Sequence, residues 1–230
     1  MAATRLTQRP QLSEEVADHV RTRIMSGQVR PGDFVRLDET AASLGVSVTP
    51  VREALLTLRG EGLVDLVPRR GYVVSPMSRQ DVEDIFWLQT VLSKRIVDRA
   101  LPLYDDDAVE IHAQLIDDFE LADRVGDVEG IVRAQFGIHR AINRASRSDK
   151  LSRFLSNAAR YLPYGLYASD PDWRRAALRD NRRMLEALRS GDLATAHAVI
   201  EDEYSTGAQL LLGHLERAGV WDEEEAAREA

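Results

Sequence analysis

The chain has 230 residues, 44% of them apolar, which allows one large domain or two of ordinary size and supports a real core. It has no cysteine, so disulfides and thiolate chemistry are excluded, and the reducing cytoplasm is the expected compartment. The net charge of −8 argues against a protein that coats nucleic acid non-specifically, but it is unevenly spread: residues 1–76 hold 10 basic and 9 acidic side chains, and residues 77–230 hold 20 and 29. The first part is therefore free to approach phosphates.

In chain order, MAATRLTQRPQL has no apolar run of a signal peptide, and no later run reaches the roughly 18 apolar residues of a membrane helix. Residues 1–10 read as a flexible arm. Leu12 to Ser26 reads as a helix with the stripe Val16, Val20, Ile24, ended by Gly27. Val29 to Val35, with Pro31-Gly32, reads as a turn-rich connector.

Asp38 to Leu58, DETAASLGVSVTPVREALLTL, carries two short helical patterns around a tight turn. Ala41, Ala42 and Leu44 mark the first, and Gly45 suits the left-handed residue of the turn. Thr49 suits an N-cap with Pro50 in the first helical place, and Val51, Ala54, Leu55 and Leu58 give the second helix one packed side. Arg52 lies off that side, and Ser47 and Thr49 lie at the exposed start. An ordinary corner between two helices shares this pattern; a helix-turn-helix places the second helix in a major groove. Leu63–Val67 and Tyr72–Ser75 are β-rich, and Pro68-Arg69-Arg70-Gly71 joins them as a two-stranded wing with two arginines at its tip. A basic turn next to a helix-turn-helix suits phosphate or minor-groove contact. Arg36, just before the first helix, joins the candidate DNA contacts.

Pro76 closes this domain, so residues 1–76 form the expected DNA-binding domain and 77–230 an all-helical one. Six helices are predicted: roughly Ser78–Leu101, Asp105–Val125, Asp127–Ala145, Lys150–Ala168, Asp172–Arg189 and Asp192–Ala218, with breaks at Pro102, Gly126, Pro171 and Gly191. The tail WDEEEAAREA is acidic and expected to fray. Polar residues interrupt the apolar faces: Gln89 with Ser93 beside it, Gln135 and His139 at i, i+4, then Asn181 and Glu203. Buried polar groups need partners. One alone is an ordinary helix-to-helix hydrogen bond; several on successive helices point to a shared polar pocket.

Ser47, the run Thr49-Pro50-Val51-Arg52-Glu53-Ala54-Leu55, Glu61-Gly62-Leu63-Val64 and Pro68 to Gly71 resemble the GntR-type transcriptional regulators. His139 with Ala141-Ile142, and Gly191-Asp192 with Ala196, resemble the FadR-like subgroup with an FCD effector domain. The resemblance implies a winged helix that binds double-stranded operator DNA as a homodimer, as a repressor above all, and a helical bundle that binds a small effector, a carboxylate or acyl compound. It also implies that Arg36, Ser47, Thr49, Pro50, Arg52, Arg69, Arg70 and Gly71 face DNA, and that Gln89, Ser93, Gln135, His139, Asn181 and Glu203 face the effector. Val48 departs from the arginine usual in the family, which leaves the operator sequence open. Many relatives hold a divalent metal with an aspartate and three histidines; the matching positions are Gln135, His139, Asn181 and Glu203. Only His139 is the usual ligand and Glu203 a substitute, while amides are poor ligands, so no metal is firmly expected.

A helical metalloenzyme with an accessory winged helix is the alternative. Di-metal bundles need Glu-x-x-His pairs, and none occurs, nor does an HExxH, P-loop, GxGxxG or GxSxG motif. A winged helix used only for protein contacts is a third reading.

Overall fold

The computed structural model describes residues 10–221. The expected arm, apart from Pro10, and the acidic tail from Asp222 lie outside the described residues. The fold is mostly α: a winged helix-turn-helix and an all-helical bundle, in two compact units. Arg79–Gly213 form the second unit; the described residues up to Ser78, together with those from His214, form the first.

In the first unit, α1 (Pro10–Met25) packs its Val16, Val20 and Ile24 stripe against α3 (Val48–Gly60). Between them lie β1 (Phe34–Val35) and α2 (Leu37–Leu44). Val51, Ala54, Leu55 and Leu58 of α3 are fully buried. Arg21 is also buried, and its guanidinium grips both oxygens of Glu61 at the end of α3, at 2.8 Å each. Such a forked pair supplies the counter-charge that burial of an arginine demands. Gly45 adopts φ 66° at the turn between α2 and α3. Gly27 adopts φ 71°, and a Cβ there would sit 2.9 Å from the Cβ of Ala218. That close approach, with His214 bonded to the Ser26 carbonyl and Trp221 donating to the Met77 carbonyl, ties the described residues from His214 onward into this unit.

Two details differ from the sequence reading. Ser47, not Thr49, is the N-cap of α3, so Pro50 takes the third helical place. The first four amides of a helix have no partner within it, so proline sacrifices no bond there. The wing has three strands, not two. β2 (Val64–Val67) and β3 (Gly71–Val74) form the hairpin, and β1 pairs with β3 through Phe34↔Val73 and Val35↔Tyr72, in the order β1-β3-β2. Two residues are too few to show a strand period, and so Val29–Val35 reads as connector.

The second unit contains α4 (Arg79–Ala100), a 3-10 turn at Leu101–Leu103, α5 (Asp106–Val125), α6 (Val128–Ala145), α7 (Asp149–Ala159), α8 (Tyr164–Ser169), α9 (Pro171–Ser190) and most of α10 (Leu193–Arg217). Local chemistry sets several ends. The side chains of Asp105, Asp127 and Asp170 accept amide hydrogen bonds at the starts of α5, α6 and α9. Gly126 and Gly191 close α5 and α9 in the left-handed conformation. The helix predicted over 150–168 is instead two, α7 and α8, because Pro163 cannot continue the ladder. One core cluster gathers Phe119, Ile131, Ala134 and Ala168, with Trp173 against it.

Candidate functional site

On the first unit, α3 buries one side and leaves Ser47, Thr49 and Arg52 exposed on the other. Pro50 turns inward and is buried. No hydrogen bond or ion pair engages Arg52 among the described residues. Arg36 stands at the residue before α2, makes no side-chain cap bond, and pairs with Glu39 at 3.2 Å, both well exposed, a contact of little energy. Gly71 opens β3. Arg69 holds φ 64° at the hairpin tip, and both wing arginines are exposed. The Arg70 guanidinium lies 5.2 Å above the ring of Phe34, so the short strand β1 supports the wing's charge from beneath. Phe34 is thus a residue that sequence reasoning missed; its one signal was an aromatic in the connector.

In the second unit, α6, α9 and α10 bring four of the polar side chains together. Asn181 donates to Gln135 Oε1 at 2.8 Å, and Gln135 Nε2 donates to Glu203 Oε1 at 3.2 Å. The direction is forced, since a carboxylate only accepts; Gln135 must show it the amine end and so show its oxygen to Asn181. His139 Nε2 lies 3.0 Å from Gln135 Nε2 and 3.2 Å from Glu203 Oε1. A protonated His139 donates to Glu203; a neutral one accepts from Gln135. Burial pulls the His139 pKa down, but the charge and hydrogen bond of Glu203 outweigh it, and the pKa is raised.

Ser93, His139, Asn181 and Glu203 line a cavity of about 30 Å³, with apolar walls that include Ile138, Ile142 and Met184. That volume holds about two waters. Ser93 bonds to the Tyr204 hydroxyl at 2.9 Å. Burial pushes the Tyr164 and Tyr204 hydroxyls well up, with the Glu203 charge adding to it. Gln89 does not join this group: it is buried and reaches back to the Ile85 carbonyl of its own helix at 3.4 Å. Gln135 does not line the cavity either, and serves as the linker behind it.

The donor set does not fit a closed metal centre. Gln135 aims an N–H at the middle of the cluster, where a metal needs lone pairs, and only His139 and Glu203 are competent ligands. No group of three or more metal-binding side chains occurs among the described residues. A chelator is therefore expected to leave the melting temperature unchanged, and elemental analysis to find far less than stoichiometric metal.

Sequence reasoning also missed His112 on α5. It is fully buried; its Nδ1 meets the Tyr104 hydroxyl at 2.8 Å, and its Nε2 has no partner. Its place on one stripe with Ile116 and Phe119 was the available signal.

The family pattern described as bacterial regulatory proteins, gntR family, matches residues 12–74, and that of the FCD domain matches residues 84–204. The chain belongs to the GntR family, with an FCD domain. It is 25% identical over 186 residues to the HTH-type transcriptional regulator McbR of Escherichia coli (strain K12), covering 79% of this chain and 84% of that one. It is 26% identical over 130 residues to the gluconate operon transcriptional repressor of Bacillus subtilis (strain 168), covering 56% of this chain and 53% of that one. The solved structure of E. coli McbR/YncC shares the fold, with a TM-score of 0.70 at 20% identity over 90% of this chain and 99% of that one. This GntR-family protein is a DNA-binding transcriptional regulator, not an enzyme. Among the described residues, no helix is long and apolar enough to cross a membrane.

Proposed function

We propose that the chain is a homodimeric, effector-responsive repressor that works in the cytoplasm. In this reading residues 1–76 carry the operator-reading surface, and the helices from residue 77 carry the effector site. The observation that supports it most is Arg52: an exposed guanidinium with no internal partner, one turn into the second helix of a helix-turn-helix. Arginine in that place suits bidentate contact with guanine in the major groove.

On an operator selected from random duplexes, Arg52→Ala is expected to weaken specific binding by ~1–3 kcal/mol, or roughly tenfold to a hundredfold. Equal affinity of mutant and wild type at moderate salt sinks this docking. Arg69→Ala and Arg70→Ala should each flatten the salt dependence by about one unit, as loss of a phosphate contact requires. One winged helix reads few base pairs, so two related by a twofold axis are expected on a pseudo-palindrome. Sedimentation of the complex should give two chains per duplex, and a single chain per duplex would defeat the dimer.

The effector half rests on the cavity. Its apolar walls suit the acyl part of the expected carboxylate or acyl ligand. A bare carboxylate is less well served, since neither arginine nor lysine is among the residues that line it.

A further inference from the structure

We infer that the exposed stripe of α4 is the face on which two copies of this chain pair, helix against helix in antiparallel register. The inference rests on the homodimer reading above and deepens it by naming the surface.

α4 turns one side inward, burying Val82, Phe86, Gln89, Ser93, Ile96 and Val97. Its other side carries Asp84, Trp87, Leu88, Val91 and Arg95, all exposed. With 3.6 residues per turn these five fall within roughly 100° of arc, so they form one continuous stripe. Its centre is apolar: Trp87 is 65% exposed, Leu88 42% and Val91 46%. Exposed apolar side chains scattered singly are ordinary, but a contiguous group that includes a tryptophan marks a contact surface. A stable interface takes about 800 Å² from each partner, more than three side chains give. α7 packs against α4 and exposes Phe154, so the apolar surface is not confined to one helix.

The charges name the occupant. Asp84 stands at the N-terminal end of the stripe and Arg95 at the C-terminal end, and the bonds they make stay on α4. Asp84 accepts from Gln80, one turn back, at 3.0 Å. Arg95 lies 3.7 Å from Asp98, which His197 holds more closely at 2.7 Å. A twofold axis midway between Leu88 and Val91 runs the second α4 antiparallel to the first. It sets Leu88 against Val91 of the other copy and, about the same midpoint, Asp84 against Arg95. Each pair forms twice, as a contact between identical surfaces requires. A parallel pair would set Asp84 against Asp84 and Arg95 against Arg95. Antiparallel helices also oppose their dipoles, positive end beside negative end. The stripe thus carries its own complement in charge, and a second copy of this chain supplies it.

The test is sedimentation equilibrium of the full chain without DNA, at low ionic strength, where exposed charges are least screened. The wild type is expected to be a dimer at micromolar concentration. Trp87→Ala should raise the dimer dissociation constant by roughly a hundredfold or more, because a twofold interface loses that anchor twice. Asp84→Arg and Arg95→Asp should each raise it by roughly tenfold, since each sets like charges across the axis twice. An equimolar mixture of these two variants should recover the wild-type value, because the mixed pair restores both opposite-charge contacts. All three positions are exposed, and circular dichroism checks that the helices persist. If Trp87→Ala folds poorly, the mixture carries the test. A wild-type dimer that no variant weakens overturns the inference and leaves the homodimer standing on another surface. Charge variants that weaken the dimer without recovery in the mixture also overturn it, because the register is then wrong. So does a wild type that stays monomeric. The homodimer reading is then judged separately, by the two chains per duplex expected above.

Discussion

Acidification from about pH 6 to about pH 4.5 is expected to cost the wild-type chain ~2 kcal/mol of stability through His112 alone. The imidazole is fully buried on α5, and burial, with the His139 charge second, lowers its pKa from 6.5 to about 4. A base whose folded pKa is depressed is held neutral by the fold. Its contribution is present above the unfolded value of 6.5 and is lost as pH falls toward about 4, because the unfolded chain takes up the proton first. His139 has the opposite sign. Its raised pKa gives a contribution that is complete below 6.5 and fades only as pH rises through the folded value, so it does not vary in this window. Urea melts of wild type and His112→Leu at the two pH values isolate the effect. The leucine variant removes both the proton site and the orphan Nε2, and the half-exposed Tyr104 hydroxyl can turn to water, so its stability near neutral pH should match or exceed wild type. Equal pH slopes for the two proteins would show that His112 is not the acid-sensitive group.

His112 also shows where the sequence stops being informative. Helices with a clean stripe and a chemical stop were legible to within a residue or two: α5 between Asp105 and Gly126, and α9 closed by Gly191. The α3 stripe of Val51, Ala54, Leu55 and Leu58 was legible because every member is fully buried. What was not legible depends on partners far along the chain. β1 is a strand only because Val73 and Tyr72 lie opposite it. The polar residues of the apolar faces were visible one by one, but their sorting was not. Asn181 and Glu203 meet at Gln135 because α9 and α10 both pass α6. Gln89 has the same local pattern and instead bonds within its own helix. Periodicity says that a polar side chain faces inward; only the packing says which other polar group it finds there.

That packing leads to the last expected result. The triple variant Gln135→Asp, Asn181→His, Glu203→His is expected to bind one zinc ion per chain, where the wild type binds far less. In the wild type, Gln135 Nε2, His139 Nε2 and Glu203 Oε1 lie 3.0–3.2 Å apart. Zinc–nitrogen bonds of about 2.0–2.1 Å in a tetrahedron place neighbouring ligand atoms ~3.3 Å apart, so the spacing already matches a coordination edge. The obstacle is chemical: an amide N–H points at the centre, and two of the four side chains offer no good lone pair. Shortening Gln135 to aspartate withdraws the amide and opens the middle by one methylene, while the two new imidazoles join His139. At a zinc concentration a thousandfold above its dissociation constant, the folded variant should gain ~4 kcal/mol, read as a raised melting temperature that a chelator reverses. Without zinc the variant should be less stable than wild type, since it loses the hydrogen bonds that Gln135 makes to Asn181 and Glu203. Circular dichroism of the zinc-free variant checks that the helices persist. If they do and zinc still fails to bind stoichiometrically, the four positions do not converge on one point and the cluster described above is misplaced.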